Sequence, residues 1–143
     1  MADDYKAWIK RAKSSLAISK IKSGEDIFYE DLCFQAQQAV EKAVKGLLIF
    51  CNVEPEKTHN LVSLIKELSK FMNIPEDVDE AAILNGYAVQ TRYPGDYSPV
   101  EEEEYNNAIL TAEKCVKWIE KKIKELLKRA EEEKKQPYLK DLE

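Results

Sequence analysis

Residues 29–51 read YEDLCFQAQQAVEKAVKGLLIFC, and this stretch decides the fold. Leu32, Ala36, Ala39, Val40, Ala43, Val44, Leu47, Leu48 and Cys51 recur at the three- and four-residue steps of a helix. They form a broad stripe rather than a narrow seam, as a helix packed on several sides requires. The alanines on that stripe permit close approach of neighbouring helices. The reading is a central helix over 29–51, with the rest of the chain arranged around it.

On the N-terminal side, Tyr5, Trp8, Ile9, Ala12, Leu16 and Ala17 repeat the same rhythm and predict a helix over 4–22. It stops at Ser23-Gly24. On the C-terminal side, Asn52 to Lys57, with Pro55, reads as a connector. Thr58 or Asn60 can cap a third helix bearing Leu61, Leu64, Ile65, Leu68 and Phe71, ending near Asn73. A fourth starts at Glu76–Asp77, where acids suit the helix dipole, and carries Val78, Ala81, Leu84 and Ala88. It cannot pass Tyr93-Pro94-Gly95 as a regular helix.

The last helix has a clear start signal: Ser98 as N-cap, Pro99 at the first helical position and Glu101 closing a capping box. Glu101 to Glu104 then read as helix-start chemistry rather than a metal site. The row Tyr105, Ile109, Ala112, Val116, Ile119, Ile123, Leu126, Ala130 alternates steps of four and three, a heptad seam. From Ser98 to Lys135 such a helix would span ~55 Å, longer than a small domain is wide. It must break, or project and pack on another chain. The fold class is therefore all-α: an up-and-down antiparallel bundle of about five helices with a long C-terminal helix. One domain is expected over 1–135, with a loose tail over 136–143.

Composition agrees. The chain has 143 residues, enough for a core without metal or disulfide staples. Only 4 Gly and 5 Pro occur, and the charge is carried mostly by Lys and Glu. That bias favours helices and is also a hyperthermophile trend, so a thermophilic source is expected. The net charge of −5 disfavours indiscriminate nucleic-acid coating. Cys33, Cys51 and Cys115 are scattered, a poor disulfide or zinc set, and no apolar signal core or spanning segment is present. A cytoplasmic protein with no membrane attachment is expected. Charge is uneven. Residues 5–22 carry Lys6, Lys10, Arg11, Lys13, Lys20 and Lys22 without an acid, whereas 76–80 and 101–104 are acidic. Such polarity suits a protein partner or a homodimer; for any single cluster, solvated helix faces are the simpler account.

Several chemistries are missing from the sequence. The four Gly are too dispersed for a phosphate loop. There is no His or Cys pair at metal-ligand spacing, and Asp77-x-Asp79 reads as helix capping. No metal and no cofactor are expected. His59 is the sole imidazole, so any histidine-based site must use it. It can act as a general base, as a phosphate contact at the start of the third helix, or as a plain capping residue. Arg92 stands beside a turn, where it can clamp phosphate while Tyr93 or Tyr97 stacks on a base, or can simply tie the turn to the bundle. Gln35, Gln37, Gln38, Glu41 and Lys42 flank the central stripe and read as a solvated or locally hydrogen-bonded face. Glu41 with Lys45 is an i,i+4 pair, and Trp8, Trp118 and Tyr105 are core or interface aromatics.

Three segments carry a family resemblance: FQAQQAVEKAVKGLL at 34–48, Thr58-His59-Asn60-Leu61, and Thr91-Arg92-Tyr93-Pro94. In this order, over about residues 4–127, the chain resembles the HEPN domain family (higher eukaryotes and prokaryotes nucleotide-binding). The resemblance implies an all-α bundle that dimerises, and a companion role beside a minimal nucleotidyltransferase encoded by an adjacent gene, as in toxin–antitoxin pairs. It also implies contact with nucleotide or RNA. Many members are metal-independent ribonucleases whose motif is an Arg followed shortly by a His, paired across a dimer. Here Arg92 fits, but Tyr97 stands where the His belongs. Tyrosine, with an unperturbed pKa of ~10, does not take a proton readily near pH 7. The sequence therefore favours a binding and regulatory module over an endoribonuclease using Arg92 with Tyr97 or His59.

Overall fold

The computed structural model describes residues 4–22, 24–88 and 98–135. Its elements are α1 (Asp4–Ser19), α2 (Tyr29–Phe50), α3 (Leu61–Leu68), α4 (Glu76–Asp79), which continues directly as a 3₁₀ helix (Glu80–Tyr87), and α5 (Glu102–Lys135). The fold is all-α, with α2 at its centre. α1, α3, the 3₁₀ helix and α5 all pack on α2. Leu47, Leu48, Val40, Val44 and four alanine and cysteine positions of α2 are fully buried.

Directions follow from named contacts. Lys42 donates to Ser15 at 2.9 Å and the Tyr5 ring meets Phe50 edge-on, so α1 and α2 run antiparallel. Lys13 pairs with Glu120 at 3.3 Å and Lys20 with Glu113, so α1 and α5 are antiparallel too. α5 consequently runs alongside α2, and Tyr29 stacks on Tyr105 where both helices begin. The short elements between α2 and α5 make this possible, because α4 is a single turn rather than a full returning helix. Two lysines of the basic N-terminal stretch thus serve contacts within the chain.

Helix ends differ from the sequence expectation wherever tertiary contacts intervene. α1 stops at Ser19 rather than 22: the Ser19 hydroxyl donates to the Leu16 carbonyl at 2.6 Å, and Tyr105 donates to the Ser19 carbonyl at 2.6 Å. Ala17 is exposed, while Ser15 and Ser19 are buried. α3 ends at Leu68, well before Asn73, and Phe71 is exposed. The capping box on Ser98 does not start α5. Val100 is buried and its N–H donates to Glu30 at 2.6 Å, so the first helical bond runs from the Tyr105 N–H to the Glu101 carbonyl. α5 is continuous for 34 residues, roughly 50 Å at the helical rise. Its seam is buried only as far as Ile123. Leu127 and Ala130 are exposed, so the distal turns project beyond the bundle. The tail at 136–143 lies outside the described residues. Among the described residues, no helix is long and apolar enough to cross a membrane.

The α1–α2 contact is tight at Gly46. A Cβ there would sit 2.9 Å from Ile9 Cδ1 and 3.1 Å from Trp8 Cβ. The Ile9 methyl can rotate aside, but Trp8 Cβ is fixed by the α1 backbone. Leucine is a good helix former, so Gly46→Leu isolates the steric cost. It should lower stability by about 1–3 kcal/mol, read as a lower urea midpoint, whereas Gly24→Ala, with nothing within 4 Å, should change little. Equal midpoints for the two variants would remove close packing at Gly46 from the account.

Candidate functional site

The site grows from a polar row on α2. Gln37, Glu41 and Lys45 follow one another at helical spacing, and all three are buried. Charged groups in such a place need partners, and they have them. Glu41 Oε1 accepts from Gln37 Nε2 at 3.2 Å, and Glu41 Oε2 from Lys45 Nζ at 3.1 Å. The His59 Nδ1 lies 3.0 Å from Oε1 and 3.2 Å from Oε2. Gln37 Nε2 also donates to the His59 carbonyl at 3.2 Å, and Gln38 donates to Gln37 Oε1 at 2.8 Å. The Lys45 ammonium lies 5.8 Å from the Trp8 ring centroid. Among the described residues no buried side-chain polar atom lacks a partner.

This arrangement orients His59. Its side chain is 74% exposed, while that of Glu41 is 5% exposed. The Glu41 carboxylate accepts, so Nδ1 carries a proton and Nε2 is the nitrogen left for other partners. A solvent-facing imidazole held through its other nitrogen by a buried carboxylate is the geometry of a general base or hydroxyl acceptor when Nε2 is bare, and of a phosphate donor when Nε2 is protonated. It is not a helix cap. Asn60 caps α3, accepting from the Val62 N–H at 3.0 Å and the Ser63 N–H at 3.5 Å. Asn85, from the 3₁₀ helix, accepts from the Leu61 N–H at 2.8 Å and donates to Asn60 at 3.1 Å. The first three N–H groups of α3 are therefore occupied, which removes them as a phosphate cradle.

Two of the three segments singled out in the sequence, 34–48 and 58–61, meet here through Glu41 and His59. The third does not enter the picture: Arg92, Tyr93 and Tyr97 lie outside the described residues. Its flanks are fixed. Tyr87 donates to Glu104, and Val100 is bound to Glu30. Among the described residues no three His, Cys, Asp or Glu side chains gather as a metal site.

Sequence reasoning missed Glu41 as an anchor and Asn85 altogether. For Glu41 a signal existed: seven residues before Leu48, it points within ~20° of that core leucine and so lies inside the apolar sector. For Asn85, in a 3₁₀ helix with no clear periodicity, there was none.

The family model of the HEPN domain matches residues 5–123. The chain belongs to this family. The solved structure of TT1696 from Thermus thermophilus is similar with a TM-score of 0.72 at 29% identity, over 85% of this chain and 99% of that one. ST0689, an archaeal HEPN homologue, is similar with a TM-score of 0.66 at 30% identity, over 83% of this chain and 97% of that one. No curated protein matches. The matched span contains the whole Gln37–Glu41–His59 assembly, so the polar row belongs to the HEPN part of the chain.

The buried row and the exposed imidazole should separate in mutagenesis. Glu41→Ala strands a nearly buried Lys45 ammonium and should cost about 3 kcal/mol in urea unfolding. His59→Ala removes an exposed partner and should cost less than ~1 kcal/mol. A large loss from His59→Ala would make the imidazole a structural residue.

The cysteines give a pH test. Burial pushes the Cys33 and Cys115 thiols up to about 12; the charge of Glu104 adds to this at Cys33, while Tyr87 hydrogen bonding opposes it. Burial also raises Cys51, which is only partly covered. A folded value above the unfolded one means the thiols' contribution is complete below about pH 8.5 and is lost as pH rises toward 12. Melting temperature should fall above about pH 9. At pH 8, Ellman's reagent should modify Cys51 first and the other two only on unfolding.

Proposed function

We propose that this HEPN chain is a binding and regulatory module that pairs with a minimal nucleotidyltransferase from an adjacent gene, in a toxin–antitoxin-type system. It acts as a homodimer and contacts nucleotide or RNA phosphate through Arg92, with Tyr93, Tyr97 and His59 as further contacts. One observation carries the reading: no histidine follows Arg92 anywhere in the chain. The family's ribonuclease chemistry needs a proton acceptor at that place, and Tyr97 is a poor one at neutral pH. Family membership over residues 5–123 supports the companion role.

A second reading is favoured by a specific contact. The Glu41–His59 pair is an oriented acid–base device that needs no metal, so an endoribonuclease using Arg92 with His59 is the alternative.

The two separate in one experiment. Purified protein is incubated with labelled RNAs in EDTA, beside Arg92→Ala and His59→Ala. In parallel, the tagged chain is co-expressed with the neighbouring nucleotidyltransferase gene and purified. The expected outcome is intact RNA and stoichiometric co-purification. Cleavage lost by at least a hundredfold in both variants would replace the first reading by the second.

A further inference from the structure

We propose that a groove at the far end of the Lys45 row docks a lysine- or arginine-bearing segment of a protein partner. The proposal stands on the groove's own lining and is independent of the nucleotidyltransferase reading. The groove lies between the first turn of α1, the C-terminal end of α2 and the loop that follows, and encloses about 750 Å³. That is the size of a small-ligand or side-chain pocket. Trp8, Ile49, Val53 and Pro55 give it an apolar wall. The loop is set by Asn52, whose φ of 62° is left-handed, and by the Val53 N–H donating back to the Leu48 carbonyl at 2.9 Å.

The polar lining is net negative. Asp4, Glu54 and Glu56 contribute carboxylates, and none of the three has an ion-pair partner among the described residues. Lys57 is one opposing cation. Lys45 is the other, but Glu41 neutralises it at 3.1 Å. Two further features favour a positive guest. α2 has no basic residue in its last turn to oppose the carboxylates. The Trp8 indole adds apolar and π surface on the same wall for the stem or head of a basic side chain. A long basic side chain fits this combination, its stem on apolar wall and its head among carboxylates. A phosphate or nucleic-acid guest does not, because it would face three unpaired carboxylates.

The test uses tetra-arginine amide as probe on the full chain, following the ¹⁵N–¹H indole signal of Trp8, assigned with Trp118→Phe. The expected result is a saturable shift at low salt. It weakens at least tenfold in the Glu54→Gln/Glu56→Gln double variant, whose exposed positions leave the fold intact by circular dichroism. Glu101→Gln/Glu103→Gln, exposed at the start of α5, should bind as the wild type does. No saturable shift, or equal weakening in both double variants, overturns the proposal. So does oligouridylate moving the Trp8 signal while tetra-arginine does not.

Discussion

A carboxylate in the middle of a buried helix has to be surrounded by donors, and Glu41 imposes that requirement on everything around it. Gln37 and Lys45 answer from α2 itself, one turn before and one turn after. The third donor comes from outside the helix: His59, at the end of the connector from α2. Its neighbour Asn60 caps α3. Asn60 then bonds Asn85 and so locates the 3₁₀ helix. These polar contacts lead from α2 to α3 and the 3₁₀ helix, while Leu61, Leu64, Leu68 and Leu84 bury the same elements in the common core. α1, α2 and α5 are held by longer continuous apolar faces and small residues in close contact.

This division explains what could be read in the sequence. α2 is legible because its apolar stripe is long and periodic, and its observed range differs from the reading by one residue. α5 is legible as a seam for the same reason. Its start is not, because local capping rules cannot foresee that Glu30, seventy residues away, takes the Val100 N–H. α3 and α4 are short, so their ends are decided by neighbours rather than by period. Asn85 was invisible for that reason, whereas Asn60 was recoverable as a cap. The polar row was misread for a different reason. Gln, Glu and Lys are usually solvent-facing, and their composition outweighed their angular position. Had the heptad relation of Glu41 to Leu48 been given precedence, the buried carboxylate would have been found, and with it the need for a cationic or N–H-bearing partner near residue 59.

The long α5 poses a separate physical question. Its first twenty-odd residues bury Ala108, Ala112, Cys115, Val116, Ile119 and Ile123 against the bundle, and its last turns bury nothing fully. An isolated stretch of that length is marginal as a helix by propensity alone. Here the distal part inherits a nucleus: propagation from a helix already formed avoids the cost of initiation, and its sequence is rich in Lys, Glu, Leu and Ala. Lys134 and Lys135 in the last turn favour the negative end of the dipole. The projection therefore does not require a partner to exist, and its exposed Leu127 alone does not argue for one.

Glu41 serves two groups at once: it neutralises Lys45 inside the bundle and orients His59 outside it. Lys45 cannot be removed without altering the environment of the imidazole, and Glu41 cannot be removed without stranding Lys45. A residue bound into stability in this way constrains any role of His59 more tightly than catalysis alone would. The imidazole itself is under no such constraint, since it is mostly exposed and supports only the connector. An orienting carboxylate fixed by folding, carrying a side chain free of folding, is an arrangement in which function can change at one position without loss of the fold. Residue 59 is where the α2–α3 half of this molecule has that freedom.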